Sequence, residues 1–229
     1  MEEIKQLRAG NSPFINQYQY QSSMTGFHLN QFGYRSRQAY PIEGDYIVAF
    51  GCSHTFGYAL EEEYRYSNLI QNTLNIPVIN LGVIGTSAGF IKDNLLQLSF
   101  YLNKTKIKKP KFIIVQWPDF TRLWFGIHQN LRSHSFLKKE FLNTENLRKI
   151  EEFNLINFYH VNLLCEIYDI KRIDFCLQEH WPEKELGLNR IKYLDFAEDN
   201  EHPGRKTNMV FHDYILERWA DHVSGVKQL

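Results

Sequence analysis

The sequence predicts an α/β chain built on a parallel sheet with helices covering both faces. Three observations carry this expectation. Short β-prone runs alternate with longer helical stretches from residue 45 onward, the pattern of consecutive βα units joined by right-handed crossovers. One run, KFIIVQW, is β-rich and uninterrupted, as buried parallel strands are. Glycines close the first two runs, where they permit a sharp handover from strand to helix.

Residues 1 to 44 are rich in Gln, Asn, Ser and Tyr and show no sustained period. They read as an irregular lead-in draped over a single domain formed by residues 45 to 229. The first strand is YIVAF, Tyr46 to Phe50. A helical stretch opens with Glu61, Glu62 and Glu63, which suit a helix amino end because the macrodipole favours negative charge there. The second strand is PVINL, Pro77 to Leu81. Phe90, Ile91, Leu95, Leu96 and Leu98 follow a period nearer 3.6 than 2, predicting a helix over Thr86 to Leu102. KFIIVQW, Lys111 to Trp117, is the third strand; Asn143 to Tyr168 is a long helix; RIDFCL, Arg172 to Leu177, is the fourth strand. IKYLDF is a short fifth, and Arg205 to His222 forms the last helix.

Whole-chain properties exclude several classes. With 26 basic and 26 acidic residues the net charge is zero, which points away from nucleic acid and anionic membranes as partners. No apolar run approaches the roughly 20 residues that a spanning helix needs. The start, MEEIKQLRAG, lacks the apolar core of a secretory signal, so a cytoplasmic location is expected. Cys52, Cys165 and Cys176 are too few and too widely spaced for a disulfide framework or zinc knuckle. The nine histidines include no H-x-x-x-H pair, and Gly51 to Gly57 lacks the G-K-[ST] ending of a phosphate loop, so neither a metal nor a nucleotide cofactor is expected.

Chemistry concentrates at strand ends. In FGCSHTFGYAL, Ser53 stands where the first strand should hand over to a helix, on the carboxyl edge at which open α/β sheets bind ligands. In NLGVIGTSAG, Asn80, Gly82 and Gly85 precede Thr86 and Ser87, two good N-cap residues; the glycines either expose N–H groups to an anion or only shape a tight turn. In DNEHPG, Asp199 and His202 can form the orienting half of a Ser-His-Asp triad, or an Asx-type turn that carries a surface histidine. His54 reads first as structure or pocket lining, Cys52 as a small apolar residue under the turn, and His180 as a rival base without an aspartate three residues before it. Trp117, Phe120, Trp124 and Phe125 line a pocket or pack a core, and KTKIKKPK is a solvated helix end.

The order GCSHTFG, NLGVIG, DNEHPG resembles that of the SGNH, or GDSL-like, hydrolases, over roughly residue 45 to the end. The resemblance implies a flavodoxin-like three-layer α/β/α sandwich with a central parallel sheet of about five strands. It matches Ser53 to the nucleophile, with Cys52 in place of the motif's aspartate. Gly85 matches the oxyanion glycine, and Asp199 and His202 the last block. NQFGYRS, Asn30 to Ser36, resembles a segment that precedes the domain in some members. One block departs: QWPD places Pro118 where a G-x-N-D asparagine would complete the oxyanion hole, leaving Gln116, Trp117 or Arg122 to substitute. The implied activity is that of a serine esterase acting through an acyl-enzyme on a small-molecule or glycan ester, such as an O-acetyl or short-acyl group. Catalytic residues are Ser53, His202 and Asp199; oxyanion donors are Ser53 and Gly85, with Gln116 a candidate third; His54, Trp117 and Arg122 line the pocket. An acyltransferase with the same triad, or a weak or inactive glycan or acyl-ligand binding module, are the alternatives.

Overall fold

Strands β1 (Ile47–Gly51), β2 (Val78–Gly82), β3 (Ile113–Trp117), β4 (Arg172–Cys176) and β5 (Asn189–Arg190) form one all-parallel sheet, in the order β2-β1-β3-β4-β5. These elements belong to a computed structural model that describes residues 27–30, 33–37, 44–105, 107–123, 144–177 and 181–224. Successive side chains on a strand point to opposite faces, and both faces are covered, so whole runs are apolar. Val48, Phe50, Ile113 and Val115 pack against α3 (Ala88–Lys104) and α4 (Thr144–Ile167). Ile47, Ala49, Ile114, Ile173 and Phe175 pack against α2 (Tyr66–Leu74) and α6 (Arg205–Ser224). Two one-turn helices complete the set, α1 (Ser53–Phe56) and α5 (Glu183–Leu186).

The helices owe their positions to periodic apolar residues. Phe90, Ile91, Leu95 and Leu98 of α3, and Thr207, Phe211 and Ile215 of α6, are fully buried at spacings of three and four. Two boundaries differ from the sequence reading. The glutamates do not begin an α-helix: Glu62–Tyr64 is a single 3₁₀ turn and α2 starts at Tyr66. Arg205, Arg37 and Arg65 hold Glu61 and Glu62 from outside, so these carboxylates serve ion pairs rather than a helix end. The fifth strand is Asn189–Arg190, just before IKYLDF, whose backbone leaves the sheet after the bond from Ile191 N to Cys176 O.

The chain runs from β1 outward to β2 and then returns to the other side of β1 to make β3. This reversal opens a crevice between the carboxyl ends of β1 and β3, the place where such sheets bind ligands. Ser53 follows β1 and Pro118 follows β3 at this crevice. Among the described residues, no helix is long and apolar enough to cross a membrane.

Candidate active site

The turn carrying Ser53 is built by close approach. Cys52 precedes the single helical turn Ser53–Phe56, which Gly57 closes at φ 75°, its N–H bonding Ser53 O at 3.0 Å. Gly57 needs that left-handed backbone. Gly51 and Gly82 are required for a different reason: a Cβ on Gly51 would overlap Thr55 Oγ1, and one on Gly82 would overlap Phe56 N and lie 2.6 Å from Thr55 C. The glycines thus let α1 lie directly on the ends of β1 and β2.

Two buried amides brace the turn from below. Gln116 Oε1 accepts from Cys52 N, Cys52 Sγ and Thr55 Oγ1 at 3.3 to 3.4 Å, while its Nε2 donates to Trp117 O at 2.7 Å. Asn80 Nδ2 donates to Thr55 O at 2.7 Å and to Ser67 Oγ at 3.1 Å, and its Oδ1 accepts from Gly82 N. Gln116 is therefore a brace under the Ser53 turn. The expectation that it supplies the oxyanion donor is replaced, because its amide is spent on backbone and side chains inside the fold.

Arg35 and Ser36, at the end of the NQFGYRS motif, form a clamp that the sequence did not reveal. Arg35, 9% exposed, donates to Gly57 O and Leu60 O, the carbonyls just beyond α1, and its guanidinium lies 4.7 Å from the Phe27 ring centre. Arg65 Nη1 donates to Arg35 O at 2.6 Å, and Ser36 Oγ accepts from Asn80 N. Burial pulls the Arg65 guanidinium down to about 9, with the Arg35 charge acting in the same sense and Glu62 opposing it. The G-Y-R-S spacing was the available signal; its partners lie 22 and more residues away, beyond any local rule.

His202 sits in a tight loop whose backbone is fixed by the bonds from Ala197 N to His202 O and Gly204 N to Asp195 O. Asp199 Oδ1 accepts from Glu201 N and His202 N, and its Oδ2 meets His202 Nδ1 at 2.5 Å. The Asx turn and the carboxylate–imidazole pair are the same structure. Burial alone would raise the Asp199 carboxyl, but the N–H groups of His202 and Glu201 and the imidazole outweigh it and hold the group below its ordinary range. With Nδ1 engaged by the carboxylate, Nε2 is the nitrogen that can face a nucleophile.

His54, 7% exposed, links this loop to α1. Its ring lies 5.4 Å from that of His202, centre to centre, and its Nε2 is 3.2 Å from Tyr193 Oη. Tyr58 packs on the other side of His202 at 5.0 Å. Ser53, 4% exposed, makes no side-chain hydrogen bond to His202 among the described residues. Apo catalytic bonds are commonly long and tighten in the complex. Gly85 has φ 73°, and its N–H bonds no described residue.

Trp117 departs from its expected place in the pocket. It is 1% exposed, packs against Phe158 and Trp181, and donates Nε1–H to Asp174 at 3.1 Å, so it belongs to the core on the α4 face. Phe120 packs on Trp181 in the same cluster. Trp124, Phe125 and His180 lie outside the described residues. Arg122 stands on the loop after β3, with Nε and Nη1 buried and unpaired. Cys52 is buried; burial raises its thiol, but His54 and Arg122 more than offset this and hold it down to about 5. Among the described residues, no cluster of three His, Cys, Asp or Glu side chains could hold a metal ion. A cleft of about 330 Å³ lined by Asn162, Cys165, Asp169 and Arg172 lies at the start of β4, away from this edge.

The chain matches no family model and no curated protein sequence. It is similar in structure to a carbohydrate esterase family 2 enzyme from Corynascus thermopiles, with a TM-score of 0.50 and 12% identity, over 82% of this chain and 69% of that one. It is also similar to an acetyl xylan esterase from Butyrivibrio proteoclasticus, at TM-score 0.49 and 12% identity over 83% and 67% of the two chains. A lipolytic G-D-S-L family member from Veillonella parvula aligns at TM-score 0.35 and 17% identity, over 76% and 97%. The first of these likenesses, together with the parallel sheet in the order β2-β1-β3-β4-β5 and helices on both faces, shows an α/β fold shared with that carbohydrate esterase.

Proposed function

We propose that this protein is a serine-dependent carboxylic ester hydrolase acting through an acyl-enzyme, with Ser53 as nucleophile, His202 as base and Asp199 as its orienter. The observation that carries this reading is the 2.5 Å pair between His202 Nδ1 and Asp199, held on the same sheet edge as the Ser53 turn. Ser53 Oγ attacks the ester carbonyl as His202 Nε2 takes its proton. The tetrahedral oxyanion is held by the N–H groups of Ser53 and Gly85. Collapse breaks the carbonyl–alkoxy bond, and His202 returns the proton to the leaving alcohol. Water, deprotonated by His202, then attacks the acyl-serine and frees the carboxylic acid and Ser53. Phe196, 54% exposed and stacked on Tyr193 at 5.3 Å, offers an exposed ring face on which a sugar can lie, and Tyr193 in turn contacts His54. This supports an O-acetyl or short-acyl ester on a glycan as substrate.

Pro118 favours a second reading. It has neither an amide side chain nor an N–H, and with Gln116 and Trp117 engaged elsewhere the oxyanion site has one donor fewer than the family pattern. Loss of one such donor costs about 10²–10³ in turnover, so the same site could serve as a slow enzyme or as an acyl-ligand binding module. Hydrolysis of 4-nitrophenyl acetate and butyrate by wild type, Ser53→Ala and His202→Ala separates these readings. Turnover is expected to fall by at least about a hundredfold in both variants. Equal rates in all three proteins would leave the binding module.

A further inference from the structure

Arg122 carries a charge for which the described part of the fold supplies no partner. Its Nε and Nη1 are shielded from solvent and hydrogen-bond to nothing. The nearest acid in sequence, Asp119, is already used: its Oδ1 accepts from Thr121 N at 2.9 Å and Thr121 Oγ1 at 2.7 Å. Arg122 as a whole is half-buried, and polar atoms shielded from solvent are normally hydrogen-bonded, because removing them from water without a partner is expensive.

The backbone of the loop that carries Arg122 is held in place by hydrogen bonds. Arg122 N bonds Asp119 O at 3.1 Å, and Asn154 on α4 donates to both Phe120 O and Arg122 O, at 2.6 and 2.8 Å. These bonds fix the loop at the crevice between β1 and β3. The Arg122 charge is felt at Cys52, which precedes Ser53, and at Tyr193, which contacts His54. Further buried polar groups lack partners on the same side of the sheet: Thr86 Oγ1 and Ser87 Oγ at the start of α3, and Asn157 Nδ2 on α4.

We propose that Arg122 is the specificity residue of the Ser53 site, and that the ester it selects carries a carboxylate alongside the scissile group. The inference rests on the esterase reading and adds the substrate's charge to it. A permanent cation answers an anion present in the ground state. A developing oxyanion, in contrast, lasts only through the reaction and is served by the neutral N–H donors of Ser53 and Gly85.

The test uses binding first, because it does not depend on turnover. Titration calorimetry on Ser53→Ala compares monomethyl succinate, which keeps one carboxylate, with neutral dimethyl succinate. Monomethyl succinate is expected to bind about 10–100-fold tighter, the range of one charge-assisted hydrogen bond. Adding Arg122→Gln should erase that preference, and Arg122→Lys, which keeps the charge, should retain part of it. Equal binding of the two esters, or a preference that survives Arg122→Gln, overturns the proposal. Turnover of mono-4-nitrophenyl succinate against 4-nitrophenyl acetate is then compared in wild type and Arg122→Gln. A kcat/KM ratio that collapses in the variant supports the assignment; an equal loss of kcat on both esters makes Arg122 an oxyanion donor instead and overturns it. If the binding preference holds while neither ester is hydrolysed, the hydrolase reading fails and the anion site stands.

Discussion

Asp195 and Asp199 set the loop that presents His202, and both act as ionised acceptors. Asp195 takes Lys206 N, Thr207 N and Thr207 Oγ1 at 2.8 to 2.9 Å. Burial opposes ionisation of each, yet the donated N–H groups win and hold both carboxyls below the ordinary carboxylate range. A depressed folded value means that stability is present above the unfolded value of about 4 and is lost as pH falls through the folded values. The unfolding free energy should therefore be flat from pH 7 to about 5 and fall below pH 4. Asp195→Asn should be less stable by about 1 kcal/mol at pH 7 and show a shallower acid decline, measured by urea unfolding across pH. An unchanged acid slope would mean that Asp195 contributes nothing through its charge. At this scale the sequence was half informative: D-x-x-H pointed to the Asp199–His202 pair and one of its two readings put Trp117 in the core, whereas the bracing bonds of Gln116 were not legible because their partners Cys52 and Thr55 lie far away in sequence.

Among the elements, α1 shows how tightly Ser53 is seated. It is one turn long, too short for any periodic signal, and exists because Gly51 and Gly82 leave room for it and Arg35 holds its exit. The long elements were legible because their apolar residues repeat over many turns; the Glu61–Glu63 run misled because its charges pair with distant arginines. Gly82→Ala should displace α1, since the clash is with the backbone of Thr55 and Phe56 and no side chain can move aside. The expected cost is about 1–3 kcal/mol in denaturant unfolding, with esterase turnover reduced more than stability accounts for. A variant with wild-type stability and turnover would show that α1 does not depend on this approach.

For the whole molecule, the strand order creates the crevice and the motifs fill its rim. Alternation of strands and helices predicted a parallel sheet, and the apolar runs predicted that both its faces are covered. The position of β5 was not legible, because two edge residues bonded to one neighbouring strand carry too little pattern. The lead-in's grip on α1 was not legible either, since it rests on bonds between residues far apart in sequence. The claim that joins these scales is that Ser53 is an activated nucleophile at the crevice, with His202 as its base. The most direct test is to treat wild type, Ser53→Ala and His202→Ala with a fluorophosphonate and locate the adduct by peptide mass spectrometry. The account predicts stoichiometric labelling on Ser53 alone in wild type, none in Ser53→Ala, and labelling slowed at least about a hundredfold in His202→Ala. Labelling of another residue, or equal labelling rates at Ser53 with and without His202, would contradict it.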